Sequence, residues 1–330
     1  MNKNDEEKIP GSFAETAQLV ESYVLEQIKQ ETEQKHLYYH NVIHALAVKR
    51  RAKTIFQAIK PVLENSTPLA ELNRLESLIK LCATAHDMVQ QFLPITEAHK
   101  SRKRAAGVSE TATVTKLIDY IKNLNHKLSQ QSVDDSIRFT DLELKIIADA
   151  ISATICDRDP QAGKIGYSFS QYSIYQPYLY TCEPKLSVVG RIIALADLGT
   201  LGMEGVETYV QEGILIFLED NLDLVELILN CDHPNSSDNK ITQARFLNMT
   251  RFMVSLAQER QARFEREISG FTADARYILQ HQVFTYLSPK NIKQIEDLIP
   301  TDENTSLGEL LSFFRLTKNK YLASSTILGG

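Results

Sequence analysis

Glycine and proline are scarce in this 330-residue chain, with 13 and 10 copies, against roughly 23 and 16 at average usage. So few turn formers over such a length favour long helices over many short strands. No apolar run reaches the roughly 18 residues of a membrane span. The best candidate, Leu186 to Leu201, is interrupted by Arg191 and Asp197. The first residues, Met1 to Lys8, are polar and offer no apolar signal segment. Cys82, Cys156, Cys182 and Cys231 are far apart and form no CxxC pair, which points to reduced thiols rather than a disulfide framework. A soluble, cytoplasmic protein without a membrane partner is expected. The formal net charge of −6 lacks the basic footprint of a nucleic-acid binder. It leaves room for a phosphorylated small molecule, because a bound metal or a local basic cluster can reverse the sign within a cleft. Also missing are HExxH, GxSxG, GxxxxGK[ST] and GxGxxG. A di-iron bundle needs two Glu-x-x-His pairs, and only Glu33-x-x-His36 fits.

What is present is helix signal. Ser12 with Glu15, Thr140 with Glu143 and Ser306 with Glu309 have capping-box spacing. Thr67-Pro68 and Ser288-Pro289 put proline at a first helical position. Leu69, Leu72, Leu75, Ile79 and Cys82 recur at the spacing of one buried helix face, as do Phe246, Met249, Met253 and Leu256. Gly270 is placed to stop the second of these helices, and Pro61 to end an earlier one by removing a donor. The pattern predicts an all-α protein with helices over 13–33, 39–60, 68–91, 97–124, 141–156, 184–201, 205–219, 221–230, 241–269, 273–287, 290–298 and 306–317. No segment alternates like a half-buried strand, and there is no internal repeat. A helical core over 12–202 and a helical extension over 203–330, packed as one unit, is the expected organisation. The stretch from Asp157 to Glu183, which holds Tyr167, Tyr172, Tyr175, Tyr178 and Tyr180, reads as a long loop.

The chemistry-bearing residues lie in three places. His40 and His44 fall within a predicted helix at i, i+4 spacing, which aims both imidazoles at one side. His86-Asp87 follows a mostly apolar helix; a hydrogen-bonded pair closing the helix is one explanation and a metal site another. Asp197 interrupts the apolar run Ile192-Ile-Ala-Leu-Ala-Asp197-Leu-Gly-Thr-Leu-Gly202. A buried carboxylate without a partner costs several kcal/mol, so Asp197 needs a cation, either Arg191 or a metal ion.

In these pieces the chain resembles the HD superfamily of metal-dependent phosphohydrolases, whose pattern is H…HD…D on a bundle of helices. The match spans roughly residues 36 to 202. Tyr39-His40-Asn41…His44-Ala45 is similar to the YHNxxHA segment of small bacterial HD proteins predicted to be phosphohydrolases, and distantly to cyclic-nucleotide phosphodiesterases. Leu195-Ala-Asp197-Leu-Gly-Thr-Leu-Gly202 resembles the LaDLxxLG ending of a bacterial HD subfamily. The resemblance implies an HD-domain helical bundle with His44, His86, Asp87 and Asp197 as ligands of one divalent ion (Mn, Fe, Ni, Co, Zn or Mg). It places His40 as general acid toward the leaving oxygen. Imidazoles and carboxylates suit such ions.

The chain departs from the binuclear branches, which continue HD into HDxxHxG; here Met88-Val89-Gln90-Gln91 follows. Asp157 stands where related proteins often carry a histidine. A second ion would have to draw on Glu97 or His99, so a single-ion site is expected. Lys100 and Arg104, on one face of the predicted 97–124 helix, could bind substrate phosphate or form a solvated face. The tyrosine loop could stack on a base or sugar, or simply pack. The resemblance implies hydrolysis of a nucleotide or other small phosphate ester by metal-activated water. The alternative is a catalytically degenerate HD-fold binding or regulatory protein that keeps a structural metal.

Overall fold

The computed structural model describes residues 9–95, 101–131, 134–158, 174–181, 185–230 and 236–316. Its α-helices are α1 (Phe13–Lys35), α2 (Val42–Leu63), α3 (Leu69–Ala85), α4 (Val108–Gln130), α5 (Asp141–Ser152), α6 (Val188–Asp197) and α7 (Thr200–Glu204). They continue with α8 (Val206–Asp220), α9 (Leu222–Asn230), α10 (Ser236–Glu267), α11 (Ala273–Ile278), α12 (Pro289–Leu298) and α13 (Leu307–Phe313). A π-helical turn, Leu279–Val283, extends α11. The all-α expectation holds apart from two short strands. β1 (Asp157–Arg158) pairs antiparallel with β2 (Ile174–Tyr175) inside the expected long loop. Among the described residues, no helix is long and apolar enough to cross a membrane.

Local chemistry sets most helix starts. Thr140 with Glu143 and Ser306 with Glu309 form complete capping boxes. Ser12 accepts from the Glu15 amide, but the Glu15 carboxylate reaches back to Gly11 instead. Ser288 caps α12 with Pro289 at its first position, whereas Pro68 is itself the cap residue of α3.

The amphipathic faces then meet. Val48, Ile55, Phe56 and Ile59 of α2 are buried against α3 and α6, and α5 packs between α4 and α6. Helix α6 is buried all round from Val189 to Ala196, as a helix apolar on every side must be. The main core is not confined to residues 12–202. Phe264, Ile268, Phe271, Ala275, Leu279 and Phe284 return from the C-terminal part to join it. Two smaller clusters tie α8, α10, α12 and α13 together, one of them around the mutually packed rings of Phe217, Phe246 and Phe314.

Several predicted boundaries need correction. Pro61 sits in the last turn of α2, which runs on to Leu63, and Leu69 is exposed at the start of α3. Helix α3 stops at Ala85, not 91. Adjacent residues on a helix point in directions that diverge, so His86 and Asp87 can address one point only if the helix breaks there. The expected 97–124 helix begins at Val108; residues 101–105 are irregular. Their backbone bonds elsewhere, with Leu93 N donating to Lys103 O and Arg102 N to Asp220 O. The run 184–201 is broken after Asp197. At Gly199 a Cβ would stand 2.9 Å from the carbonyl oxygens of both Leu195 and Ala196, so only glycine allows this turn into α7. Gly202 admits the ring of Phe284 at 2.6 Å from where its Cβ would be. These two contacts account for both glycines of the segment Leu195–Gly202.

Candidate metal centre

Three helix ends bring the expected ligands to one point. Asn41 caps α2 by accepting from the amides of Ile43 and His44, which sets His44 in the first turn. His86 closes α3, Asp87 follows it, and Asp197 is the last residue of α6. One ligand atom from each of His44, His86, Asp87 and Asp197 lies within 4.8 Å of all the others. His44 Nε2 is 3.3 Å from His86 Nε2 and 3.2 Å from Asp87 Oδ2. His86 Nε2 is 2.9 Å from Asp87 Oδ2 and 3.5 Å from Asp197 Oδ1. His44 Nε2 stands 3.9 Å from Asp197 Oδ1. Ligands about 2.1 Å from one ion are separated by roughly 3.0–3.5 Å in octahedral or tetrahedral arrangement. The shorter of these separations match that spacing, and the group could hold a metal ion.

The surrounding contacts orient these ligands. His86 Nδ1 is 2.9 Å from the carbonyl oxygen of Ala83, a bond in which Nδ1 carries the proton and the Nε2 lone pair faces the centre. Gln90 Nε2 donates to Asp87 Oδ1 at 3.0 Å, and Gln176 Nε2 donates to Asp197 Oδ2 at 3.1 Å. Each amide occupies one carboxylate oxygen and leaves the other to the imidazoles. Arg51, 1% exposed, donates to the carbonyl oxygens of Ala196 and Asp197 and pairs with Glu204 and Glu212. It fastens the end of α6 to α2. Arg191 packs its guanidinium against Gly270 instead.

Electrostatics favour positive charge here. Burial would lower the His86 imidazole, but the Asp87 charge and hydrogen bonds to Asp197 and Asp87 hold it well above its ordinary value. Burial would raise the Asp87 carboxyl, yet the charges of His86 and His40 and the bond from His44 keep it well below the carboxylate range. For His44 burial dominates and lowers the imidazole. Protons and a metal cation would compete for the imidazole nitrogens at this point.

His40 reaches the centre by a route the sequence reading did not foresee. It lies before the Asn41 cap, outside α2, so no shared helix face aligns it with His44. Glu219, at the end of α8, places it. One carboxylate oxygen accepts from the backbone amides of Tyr39 and His40, and the other stands 2.5 Å from His40 Nδ1. His40 Nε2 then lies 3.8 Å from Asp87 Oδ2. Burial would lower this imidazole, but Glu219 and Asp87 raise it above its usual value against the opposing charge of Arg104.

Arg104 also comes to the site, though not on a helix. Its guanidinium bonds Glu219, pairs with Asp220 at 3.2 Å and stacks over the Phe92 ring. Its neighbour Arg102 binds the Glu219 and Lys35 carbonyl oxygens. Lys100, Glu97 and His99 lie outside the described residues, as do Tyr167 and Tyr172. Of the tyrosine loop's described part, Tyr180 bonds Glu267, and Gln176 provides the link to Asp197. Glu110, in the first turn of α4, is a further neighbouring carboxyl, raised by burial and by Asp87 and Asp197. Sequence reasoning missed Glu219, Arg51, Gln176, Gln90 and Glu110; none falls in a motif.

Compared with known protein families, curated proteins and solved structures, the chain finds no match.

Proposed function

We propose that this protein is a metal-dependent phosphohydrolase of the HD type, acting on a nucleotide or another small phosphate ester. The observation that carries the reading is the convergence of His44, His86, Asp87 and Asp197, the H…HD…D residues, with ligand atoms within 4.8 Å of one another. A divalent ion held by them supplies Lewis acidity toward a phosphoryl oxygen and an activated water. His40 contributes the proton chemistry. Glu219 fixes its Nδ1 and leaves Nε2 facing the centre, the edge from which a proton can pass to a leaving oxygen. Arg104 is already bound by Glu219 and Asp220. In this scheme it holds Glu219 in place, and direct contact with phosphate is not its main task. Arg51 and Gln176 keep Asp197 aimed.

The test is a panel of phosphomonoesters and phosphodiesters, nucleotides included, on the purified protein and after addition of Mn²⁺, Ni²⁺, Co²⁺, Zn²⁺ or Mg²⁺. Metal-dependent release of phosphate or alcohol that disappears in His40→Ala supports the reading. Stoichiometric metal without turnover on any ester would assign the centre to a binding or regulatory protein with a structural ion.

A further inference from the structure

Two buried glutamines, Gln90 and Gln176, treat the two aspartates of the centre alike. Each is 1% exposed. Gln90 Nε2 donates to Asp87 Oδ1 at 3.0 Å, and Gln176 Nε2 donates to Asp197 Oδ2 at 3.1 Å. The oxygens nearest the imidazoles are the opposite ones, Asp87 Oδ2 and Asp197 Oδ1. The likeness is assembled from unrelated parts of the chain. Gln90 lies just beyond the break after α3, and Gln176 stands at the start of the 3-10 turn Pro177–Leu179.

Both amides are held from behind. The Gln90 backbone N–H donates to Glu31 at 3.2 Å, and its carbonyl oxygen accepts from Lys35 Nζ at 2.6 Å. The amides on either side, of Val89 and Gln91, donate to Thr113 and Ser109. The Gln176 carbonyl oxygen accepts from the Leu179 amide, and Arg263 binds the carbonyl oxygen of Ile174 two residues earlier. This orientation has a cost. Among the described residues, Gln90 Oε1 and Gln176 Oε1 find no hydrogen-bond partner although both are buried, and an unsatisfied buried acceptor is unfavourable. Turning either amide over would set its oxygen against a carboxylate oxygen, so charge keeps the nitrogen on the aspartate and strands the carbonyl. The fold tolerates this twice at one place, where a packed methionine would leave no polar atom stranded.

We propose that Gln90 and Gln176 select the ion that the centre accepts. With one oxygen of each aspartate held by an amide, His44, His86, Asp87 and Asp197 offer one donor atom apiece. Two imidazole nitrogens and two single carboxylate oxygens suit a first-row transition ion. A calcium ion takes about six to eight oxygens and often grips a carboxylate through both, and discrimination between ions follows ligand number and rigidity. The two amides withhold the oxygens that such a larger, harder ion needs. The proposal rests on the metal-binding part of the reading above and is independent of hydrolysis.

Competition between Co²⁺ and Ca²⁺ on the metal-stripped full-length protein tests it, with the visible absorption of bound Co²⁺ as the readout. Gln90→Met and Gln176→Met keep the length of the side chain, remove the donor and free one aspartate oxygen each. In either variant the ratio of Ca²⁺ to Co²⁺ affinity should rise by ~10-fold or more, within the roughly 10- to 100-fold range over which the outer partners of ligands alter metal binding. The absorption of bound Co²⁺ should weaken as its coordination number rises. A merely structural role would weaken both ions alike and leave the ratio unmoved. The two glutamines come from different parts of the chain, so if one variant fails to fold by circular dichroism the other decides. An unchanged ratio in the folded variants overturns the proposal and leaves the metal centre standing. Wild-type protein that binds no divalent ion removes the metal centre and the proposal together.

Discussion

Glu219 Oε1 lies 2.5 Å from Nδ1 of His40, although the two residues are 179 positions apart in the chain. The contact joins the end of α8 to the segment just before α2, so the part of the chain beyond residue 202 positions a residue of the motif region. Its environment is buried and charged throughout. Glu219 is fully buried, Arg104 bonds the same oxygen, and Arg102 holds the Glu219 carbonyl. The extension is therefore part of the site.

Replacing Glu219 with glutamine removes the negative charge behind His40 while keeping its shape. If the protein is the hydrolase proposed above, turnover should fall by about 10- to 100-fold, the usual cost of losing a partner that orients a site residue. His40→Ala should fall further, by about 10²- to 10⁴-fold, as for a lost general acid. Neither residue is placed to bind the ion, so metal content measured by elemental analysis should stay near that of the wild type. Loss of metal in His40→Ala would instead make His40 a ligand.

The same pair predicts an acid limit to stability. Burial would raise the Glu219 carboxyl, but the charge and hydrogen bonds of His40 and the charge of Arg104 bring it down to about 2. A carboxyl depressed in the folded state adds stability that is present above its unfolded value of about 4.5 and is lost as pH falls toward 2. The size is at most about 3 kcal/mol. His40 moves the other way: its raised value adds stability that is complete below about pH 6.5 and is lost as pH rises through the folded value. Denaturant midpoints of the metal-free protein should drop between pH 4.5 and 2, and more shallowly in Glu219→Gln. Identical acid slopes for the two proteins would count against the pairing.

Arg51 offers a test of how Asp197 is held. Removing a buried, paired guanidinium typically costs about 3–5 kcal/mol because its acidic partners stay behind. Arg51→Ala should therefore unfold far earlier and lose metal affinity as the end of α6 loosens. Arg51→Lys retains the charge but not the fork of donors that reaches Ala196, Asp197, Glu204 and Glu212, so it should fall between. A melting temperature for Arg51→Ala within roughly 2 °C of wild type would show that α6 is held by apolar packing alone.

Arg51 also illustrates what the sequence could and could not reveal. In Lys49-Arg50-Arg51-Ala-Lys53 it reads as one more surface charge, and only the packing of α6 separates it from Arg50, which is 64% exposed. Glu219 and Gln176 are hidden for the same reason: a polar residue near a helix end or in a loop is ordinary until the fold brings it a partner. His86, Asp87 and Asp197 stood out because their residue types conflict with apolar surroundings, while His44 joined them only through the resemblance; the fold brings the four together. The periodic helices α3 and α10 were legible from their apolar spacing. Residues 101–105 were not, because their charges mimic a helix face while the backbone of Arg102 bonds Asp220 across the fold. The end of α3 was missed because helix-forming residues continue past it, and the break serves His86 and Asp87 rather than local propensity.

The last prediction concerns the metal itself. Four ligands from three separate helix ends and one following residue can be assembled only in the folded chain, so an ion bound there stabilises the native state by mass action. At a free metal concentration about 100 times the dissociation constant, that stabilisation is about 2.7 kcal/mol. Adding EDTA should lower the melting temperature, and restoring the cognate ion should return it. Competing protons must leave the imidazoles before metal binds, so the metal-dependent increment should shrink as pH falls through the raised value of His86, beginning above its ordinary 6.5. His44→Ala should melt like the chelated wild type, gain nothing from added metal, and retain the α-helical circular dichroism of the parent. A wild-type melting curve unmoved by EDTA and by every divalent ion tried, with no bound metal by elemental analysis, would remove the metal from this site.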